Sequence, residues 1–264
     1  MKGGTRGNGT TYRTERIGGA RVMARSEDLA EVGAMMERAG SLYDFAAAHP
    51  AAEAIQGRGT LHVIPVGSGR WVVRRLSHGG ALAPLTGDRF LRLGRPRPFN
   101  ELVIADRLAA LGIPTPVVRA AAVYPSGPLF YRGDIAREEI TDARDLAACL
   151  FGPLELAAPA RATVLAAAGG LLRSIHAAGL AHPDLNLRNV LIESGDAASP
   201  RAYIIDLEKC RIAVRLGRRQ RERMLGRFQR SARKFEKETG GRISEAEWRA
   251  FHQAYGGAAP NGRA

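Results

Sequence analysis

The sequence contains few cysteines and no long apolar run. Its two cysteines, Cys149 and Cys210, stand in no CxxC or Cys/His pattern among the 264 residues, so neither a disulfide framework nor a zinc site is predicted. No stretch reaches about 18 consecutive apolar residues, which argues against a membrane-spanning helix. The first residues, Met-Lys-Gly-Gly, lack the apolar core of a secretory signal. We therefore expect a protein of the reducing cytosol.

Acidic residues are too few to balance the basic ones. The chain has 39 Lys and Arg against 26 Asp and Glu, which gives a formal net charge of +13 at pH 7. Within residues 209–237, twelve residues are basic and two are acidic. Such a segment favours an anionic partner, such as nucleic acid, acidic lipid head groups or a phosphorylated substrate, although a solvated helix face has the same composition.

The order of the predicted elements indicates an α+β protein of two lobes. Residues 1–20 and 256–264 are rich in Gly and other small residues, so both are predicted to be disordered tails. Hydrophobic spacing predicts one or two short helices over 27–49 with a break at Gly40, strands around a turn at 67–69, a helix over 98–111, strands over 117–123 and 129–140, and a helix over 160–178. Because strands come first and helices later, we expect an N-terminal lobe over 21–140, which includes a helical extension, and a helical C-terminal lobe over 141–255.

One short segment carries the residues expected of a catalytic loop. It reads His182-Pro-Asp184-Leu-Asn-Leu-Arg-Asn189, followed by an apolar strand, a turn and a second apolar strand that ends at Asp206. Because a hairpin brings its two outer ends together, Asn189 and Asp206 are predicted to meet. Asp184 then offers a carboxylate that can accept a proton, and the Asn/Asp pair offers oxygen ligands suited to Mg2+. The alternative is that Asp184 is a turn residue and Asp206 a strand-end cap.

This pattern resembles the catalytic loop of protein kinases and their small-molecule relatives, HxDxxxxN with a metal-binding Asp downstream. Phosphoryl transfer requires mainly that the phosphates be positioned, that their charge be neutralised and that the attacking hydroxyl be oriented. The resemblance assigns Asp184 as the catalytic base, Asn189 and Asp206 as the metal ligands, and His182 as the residue that braces the loop.

The preceding lobe is expected to supply a nucleotide clamp. Gly57 and Gly59 lie just before a strand, where a loop without side chains lets backbone amides approach phosphates. Arg74 occupies the place of the strand Lys that contacts the phosphates in kinases, and Glu101 on the next helix is its expected ion-pair partner. Alternation along the strand does not decide whether Arg74 or Arg75 takes this role.

Several motifs, taken in order, resemble a narrower family. They are Gly57-Arg58-Gly59-Thr60, Arg74-Arg75 running to Gly79-Gly80, Arg97-Pro98-Phe99-Asn100-Glu101, Ile113-Pro114-Thr115-Pro116, Tyr131-Arg132-Gly133-Asp134-Ile135, Asp145-Leu146, and His182 through Leu191. Over residues 57–234 the chain is similar to the 3-deoxy-D-manno-octulosonic acid (Kdo) kinases, part of the lipopolysaccharide core kinase family.

The resemblance implies a protein-kinase-like bilobal fold with a small β-rich N-lobe and a larger helical C-lobe. It also implies ATP and Mg2+ as cofactors, and phosphorylation of a Kdo hydroxyl on lipid A at the cytoplasmic face of the inner membrane. Kdo-lipid A or a related lipopolysaccharide precursor and the anionic membrane surface are then the expected partners, and no nucleic acid is expected. Glu138 is also assigned to the nucleotide site.

Three positions depart from the patterns that the chain otherwise resembles. Leu76 stands where an aromatic residue is usual, and His78 replaces another basic residue before Gly-Gly. Leu207-Glu208 follows the metal-binding Asp without the glycine of protein kinases. None of these changes removes a predicted catalytic group, and Arg in place of the strand Lys is usual in the family.

Two other functions are compatible with the sequence. A kinase of another small molecule or of protein Ser/Thr would share the catalytic loop, although no Asp-Phe-Gly or Ala-Pro-Glu motif follows Asp206. A nucleic-acid-binding module would share the basic segment 209–237, but the aromatic residues of that segment are limited to Phe228 and Phe235. Since the apolar residues of the segment recur at helical spacing and most of the rest are basic, we expect it to dock on anionic lipid.

Overall fold

The strands described within the first 140 residues form one antiparallel sheet. In the computed structural model, which describes residues 5–7, 10–55, 59–77, 87–153, 156–193 and 199–256, its strands are β1 Thr5–Gly7, β2 Thr10–Ile17, β3 Ala20–Arg25, β4 Glu53–Ile55, β5 Leu61–Val66, β6 Gly69–Arg75, β7 Phe90–Leu91, β8 Val118–Pro125 and β9 Phe130–Glu138. They lie in the order β1-β2-β3-β8-β9-β6-β5-β4, and β7 pairs with β9. The sheet therefore brings strands β6 and β9, distant in sequence, side by side.

Three helices of the same unit pack against this sheet. They are α1 Leu29–Ala39, α2 Leu42–Ala48 and α3 Arg97–Ala110. Helices α1 and α2 bury apolar side chains against sheet residues such as Val22, Ile64 and Trp71. Gly40 ends α1 in the left-handed conformation, with a φ of 77°, and its N–H donates to the Met36 carbonyl at 2.7 Å. The predicted break at Gly40 is thus confirmed.

The first long strand replaces part of the predicted N-terminal tail. Thr10–Ile17 form β2, which pairs with β3 from Tyr12 opposite Arg25 to Ile17 opposite Ala20. The buried Tyr12 hydroxyl donates to the Val118 carbonyl at 3.1 Å. The prediction of disorder was wrong for this strand, because most of the side chains described over 12–17 are exposed and give no apolar alternation. Residues 1–4 and 257–264, also predicted to be tails, lie outside the described residues.

The C-terminal part of the chain is mainly helical. It contains β10 Ala143–Asp145, β11 Leu180–Ala181, β12 Val190–Glu193, β13 Arg201–Ile204, β14 Arg211–Ile212, α4 Leu146–Phe151, α5 Ala158–Ala177, α6 Arg218–Thr239, α7 Glu245–Gly256 and a 3-10 turn, Leu187–Asn189. Strands β10, β12 and β13 form a small sheet, and β11 pairs with β14. Helices α5 and α7 pack closely at Gly169, where an added Cβ would clash with the Phe251 carbonyl.

The described chain divides into two units, one β-rich and one helical. The first comprises Met1–Ala110 and Pro116–Glu139, and the second comprises Leu111–Thr115 and Ile140–Ala264. The helices predicted over 98–111 and 160–178, and the strands over 117–123 and 129–140, are confirmed with ends shifted by one or two residues. Strands β1 to β3 with α1 and α2 make the β-rich unit about as long as the helical one. In the described part of the chain, no helix has the length and apolar character needed to cross a bilayer.

Candidate active site

A short hairpin in the helical unit brings the two ends of the predicted metal site together. Strand β12 pairs with β13 with Val190 opposite Ile204, and one residue further the Ile205 N–H donates to the Asn189 carbonyl at 3.1 Å. Asp206 therefore follows directly on a residue that is hydrogen bonded to Asn189. Asp206 has a φ of 64°, the left-handed region that non-glycine residues seldom adopt.

Side-chain amides fix the loop that precedes the hairpin. Asn189 Nδ2 donates to the backbone carbonyl of Asp184 at 2.9 Å, and Asn186 Nδ2 donates to the same carbonyl at 2.7 Å. Asn186 Oδ1 accepts from the Arg188 N–H at 2.9 Å and so caps the 3-10 turn. Because the Nδ2 group of Asn189 is bound to the backbone, its Oδ1 atom is the end that could bind a cation.

His182 braces the loop from inside the protein. Its ring is buried, and Nε2 lies 3.1 Å from the carbonyl oxygen of Ile205. A carbonyl oxygen can only accept a hydrogen bond, so Nε2 carries the proton in this contact. The contact joins the loop to the end of β13, immediately before Asp206. The bracing role that the resemblance assigned to this histidine stays a prediction.

The Asp184 carboxylate faces solvent beside two cations. Its side chain is 44% exposed, and Lys209 Nζ donates to Oδ2 at 3.0 Å. Arg227 Nη1, on α6, lies 3.8 Å from Oδ1. Partial burial opposes ionisation, but the hydrogen bond and charge of Lys209, with His182 and Arg227, outweigh it and hold the pKa of Asp184 below its ordinary value of 3.8. Asp184 is therefore ionised at neutral pH and able to accept a proton.

A second acid beside Asp206 was not singled out as a site residue by the sequence analysis. Carboxylate oxygens of Asp206 and Glu208 lie within 4.8 Å of each other, and the Glu208 residue is buried. Carboxylates with an amide oxygen are the donor set that Mg2+ prefers, so this end of the hairpin fits a hard divalent cation. The signal in the sequence is the Asp-x-Glu spacing of Asp206 and Glu208, where protein kinases have a glycine after the metal-binding Asp.

In the β-rich unit, the predicted ion pair between Arg74 and Glu101 is present. Arg74 Nη2 lies 2.6 Å from Glu101 Oε2, and the glutamate is buried on helix α3. Arg75 points to the other side of β6, because successive strand residues face opposite ways. There it binds the buried Asp134 at 3.1 Å and Ser41 on the way into α2 at 2.8 Å. The structure thus makes Arg74, and not Arg75, the partner of the α3 glutamate.

The remaining predicted nucleotide residues receive less support. Gly57 and the departure at His78 lie outside the described residues. Gly59 is exposed, and no atom of a described residue beyond its chain neighbours lies within 4 Å of an added Cβ. The Glu138 carboxylate pairs with Arg119 at 3.1 Å on the sheet, so its nucleotide role stays a prediction. Leu76, the other departure in this unit, is buried, and its N–H donates to the Gly133 carbonyl at 2.8 Å.

Comparison with known proteins agrees with the geometry of the loop. Residues 46–255 match the model of the lipopolysaccharide kinase (Kdo/WaaP) family. The chain is 33% identical over 203 residues to the 3-deoxy-D-manno-octulosonic acid kinase of Xanthomonas oryzae pv. oryzae (strain PXO99A), covering 75% of this chain and 76% of that protein. It is 29% identical over 184 residues to the kinase of the same name from Vibrio cholerae, covering 69% and 72%.

Among solved structures, WaaP in complex with acyl carrier protein is similar in fold. The TM-score is 0.54 at 18% sequence identity, and the match covers 77% of each chain. The α+β, kinase-like fold that the sequence predicted is therefore confirmed, as is its assignment to the phosphotransferases. Since the family match spans most of the sequence, the chain belongs to the lipopolysaccharide kinase (Kdo/WaaP) family.

Proposed function

We propose that the protein is a Kdo kinase, which transfers the terminal phosphate of ATP to a hydroxyl of Kdo on lipid A during lipopolysaccharide core biosynthesis. The observation that carries the proposal is the Asp184 carboxylate, half-exposed and ionised, on a loop that amide hydrogen bonds hold against the hairpin. Two relatives that bear the name 3-deoxy-D-manno-octulosonic acid kinase match 75% and 69% of the chain, which supports the choice of acceptor.

In this proposal Asp184 is the general base. Its carboxylate accepts the proton of the acceptor hydroxyl as the new oxygen–phosphorus bond forms and the bond from the terminal phosphorus to the bridging oxygen of ATP breaks. The products are ADP and the phosphorylated sugar. His182 and Asn189 act through the backbone of the loop, since their hydrogen bonds fix the position from which Asp184 reaches the acceptor.

Two further groups of residues would handle the phosphates. Asn189 Oδ1 and Asp206, with Glu208 beside it, would hold Mg2+, and the bound ion would neutralise phosphate charge. Arg74 would contact the phosphates, and its ion pair with Glu101 keeps the guanidinium oriented. The exposed backbone at Gly59 would allow close approach of a phosphate, because no side chain of the described residues occupies that space.

The direct test is product formation on the proposed acceptor. Purified protein is incubated with ATP, Mg2+ and Kdo-lipid A, and the lipid is examined by mass spectrometry for one added phosphate on the sugar. Asp184→Asn, purified in parallel, is the matched control for contaminating kinases. We expect product only with the wild type. ATP turnover without phosphorylated Kdo would overturn the choice of acceptor, and equal product from both proteins would overturn the role of Asp184.

We further propose that α6 holds the enzyme on the anionic cytoplasmic face of the inner membrane. Its apolar residues Met224, Phe228 and Ala232 are buried inside the unit, whereas most of its arginines are exposed. Basic residues near an anionic leaflet contribute about 1 kcal/mol each. Replacing Arg219, Arg223 and Arg230 by Ser should therefore weaken binding to anionic liposomes by about 100-fold.

The matched control for that experiment changes three exposed arginines elsewhere, Arg107, Arg173 and Arg249, to Ser. Both variants lose the same net charge, so a specific role for α6 predicts that only the first one loses co-sedimentation with the liposomes. Equal retention of both variants would contradict docking through this helix.

A further inference from the structure

Asp184 has a second cation beside it that the phosphate chemistry does not require. Arg227 Nη1 approaches Oδ1 at 3.8 Å, on the carboxylate oxygen that Lys209 does not use. This distance is longer than a hydrogen bond. The structure shows no other polar contact of the Arg227 guanidinium with the described residues, and the Arg227 side chain is 51% exposed. The hydrogen-bond donors of Arg227 are therefore open to a ligand that reaches Asp184.

The packing of α6 against the catalytic loop places Arg227 beside Asp184. Three residues of α6, spaced four apart, lie beside the catalytic loop. Arg227 lies near Asp184, and Ser231 Oγ accepts from the Leu187 N–H at 3.3 Å. The Phe235 ring centre lies 5.2 Å from the guanidinium carbon of Arg188. Residues four apart lie on one side of a helix, so this side of α6 faces the loop. The buried Phe228, stacked on Phe251, fixes the rotation of the helix.

We propose that Arg227 binds the carboxylate of the acceptor sugar and so presents a hydroxyl of that sugar to Asp184. The inference rests on the proposed function, in which the acceptor is an octulosonic acid and carries a carboxylate. The planar guanidinium offers paired donors that match the two oxygens of a carboxylate. Without such a cation, the acceptor carboxylate would be repelled by the ionised Asp184.

Lys209 is less suited to the same task. Its ammonium already donates to Asp184 at 3.0 Å, and it is a single point charge without the paired donors of a guanidinium. It also lies only three residues after Asp206, close in sequence to the residues proposed to hold the metal. Arg227 instead comes from the basic helix, so acceptor recognition and phosphate handling would be served by different elements.

The test compares an acidic acceptor with a neutral one. Lipid A carrying one Kdo residue, in neutral detergent micelles, is assayed beside the same acceptor with its Kdo carboxylate converted into the carboxamide. Wild type, Arg227→Gln, Arg227→Lys and the exposed-arginine control Arg249→Gln are compared. We expect the wild type and the control to prefer the acid about 10- to 100-fold in kcat/KM, the range of a charge-assisted contact.

Arg227→Gln should lose that preference by losing activity on the acid alone, with the KM for ATP unchanged, and Arg227→Lys should retain part of the preference. Thermal unfolding should be the same for all four proteins, because the side chain is half-exposed. The proposal is overturned if the wild type does not distinguish acid from amide, or if Arg227→Gln distinguishes them as the wild type does. Either result leaves Kdo phosphorylation intact, whereas no product with wild type on the acid would instead overturn the proposed function.

Discussion

The helical unit contains two clusters of oppositely charged side chains. They differ in how completely the charged groups are paired. In the first, Arg161 Nε binds Glu247 Oε1 at 2.5 Å, and its Nη1 and Nη2 atoms donate to the carbonyls of Leu150 and Arg242 at 2.6 and 2.7 Å. Glu247 Oε2 accepts from the N–H of Ser244 at 2.6 Å. Both charged side chains are buried, so this cluster joins α5 to the start of α7 and leaves nothing for a ligand.

The second cluster, Asp184 with Lys209 and Arg227, has the opposite character. Each of its side chains is roughly half-exposed, and one of the two contacts is longer than a hydrogen bond. A buried charge has to be paired within the protein because its desolvation is costly, whereas an exposed charge can exchange its partners. In this unit, burial separates the charged groups that stabilise the fold from those that can take part in a reaction.

The largest expected effect is on catalysis at the exposed cluster. Asp184→Asn removes the proposed base but keeps the shape of the side chain, so turnover should fall by about 100- to 10,000-fold. The free energy of unfolding should change by less than about 1 kcal/mol, because only an exposed pair is lost. Steady-state kinetics and urea denaturation measure the two quantities. Full activity, or a large loss of stability, would remove the distinction between the clusters.

The buried cluster should show the reverse. Glu247→Gln leaves the Arg161 charge buried without its carboxylate, which we expect to cost about 3 to 5 kcal/mol of stability. Turnover per folded molecule should remain that of the wild type, since neither residue lies in the catalytic loop. Urea denaturation followed by activity assays in the absence of urea tests this expectation. A variant of normal stability would show that the pair does not hold α5 to α7.

A pH-dependent contribution to stability is expected at the same pair of helices, α5 and α7. Burial, with a contribution from the charge of Arg221, lowers the pKa of His176 from 6.5 to about 4. Its Nδ1 atom lies 2.7 Å from the Tyr255 hydroxyl, and Nε2 has no hydrogen-bond partner among the described residues. The folded state therefore binds fewer protons than the unfolded state between these two pKa values.

The stability that neutral His176 contributes is complete above pH 6.5 and is lost as the pH falls to about 4. The loss should reach about 3 kcal/mol. His176→Phe keeps a ring in place but cannot be protonated, so its unfolding free energy should fall less steeply over this range. Denaturation curves at several pH values compare the slopes, and equal slopes would show that another group titrates.

Local patterns in the sequence predicted much of the fold and the catalytic loop. The spacing from His182 to Asn189 and the hairpin that leads to Asp206 could be predicted because their contacts are close in sequence. The choice between Arg74 and Arg75 could not be predicted. Alternation along a strand shows that the two side chains face opposite sides of the sheet, but not which of them faces the helix that carries Glu101. The choice was decided by helix α3, which carries Glu101, and by the partners of Arg75 on the other side of β6.

The contacts that the sequence did not predict are those between distant elements. The basic composition of 209–237 indicated a helix with an anionic partner, but nothing in it singled out Arg227 among its neighbours. That residue reaches Asp184 because Phe228 and Ala232 are buried on the adjoining side of α6. Likewise, β2 was missed because its pairing with β3 depends on backbone hydrogen bonds and exposed side chains.

The ion pair between Lys209 and Asp184 should contribute least to stability. Lys209→Met removes the tighter of the two contacts to Asp184, a hydrogen-bonded ion pair at 3.0 Å. In the buried cluster a contact of this kind would be costly to lose, but here both side chains are 44% exposed, and water replaces the lost partner. We therefore expect the free energy of unfolding to change by less than about 1 kcal/mol. Urea denaturation beside Glu247→Gln tests this directly, since a comparable loss in the two variants would mean that exposure does not separate the two kinds of charge.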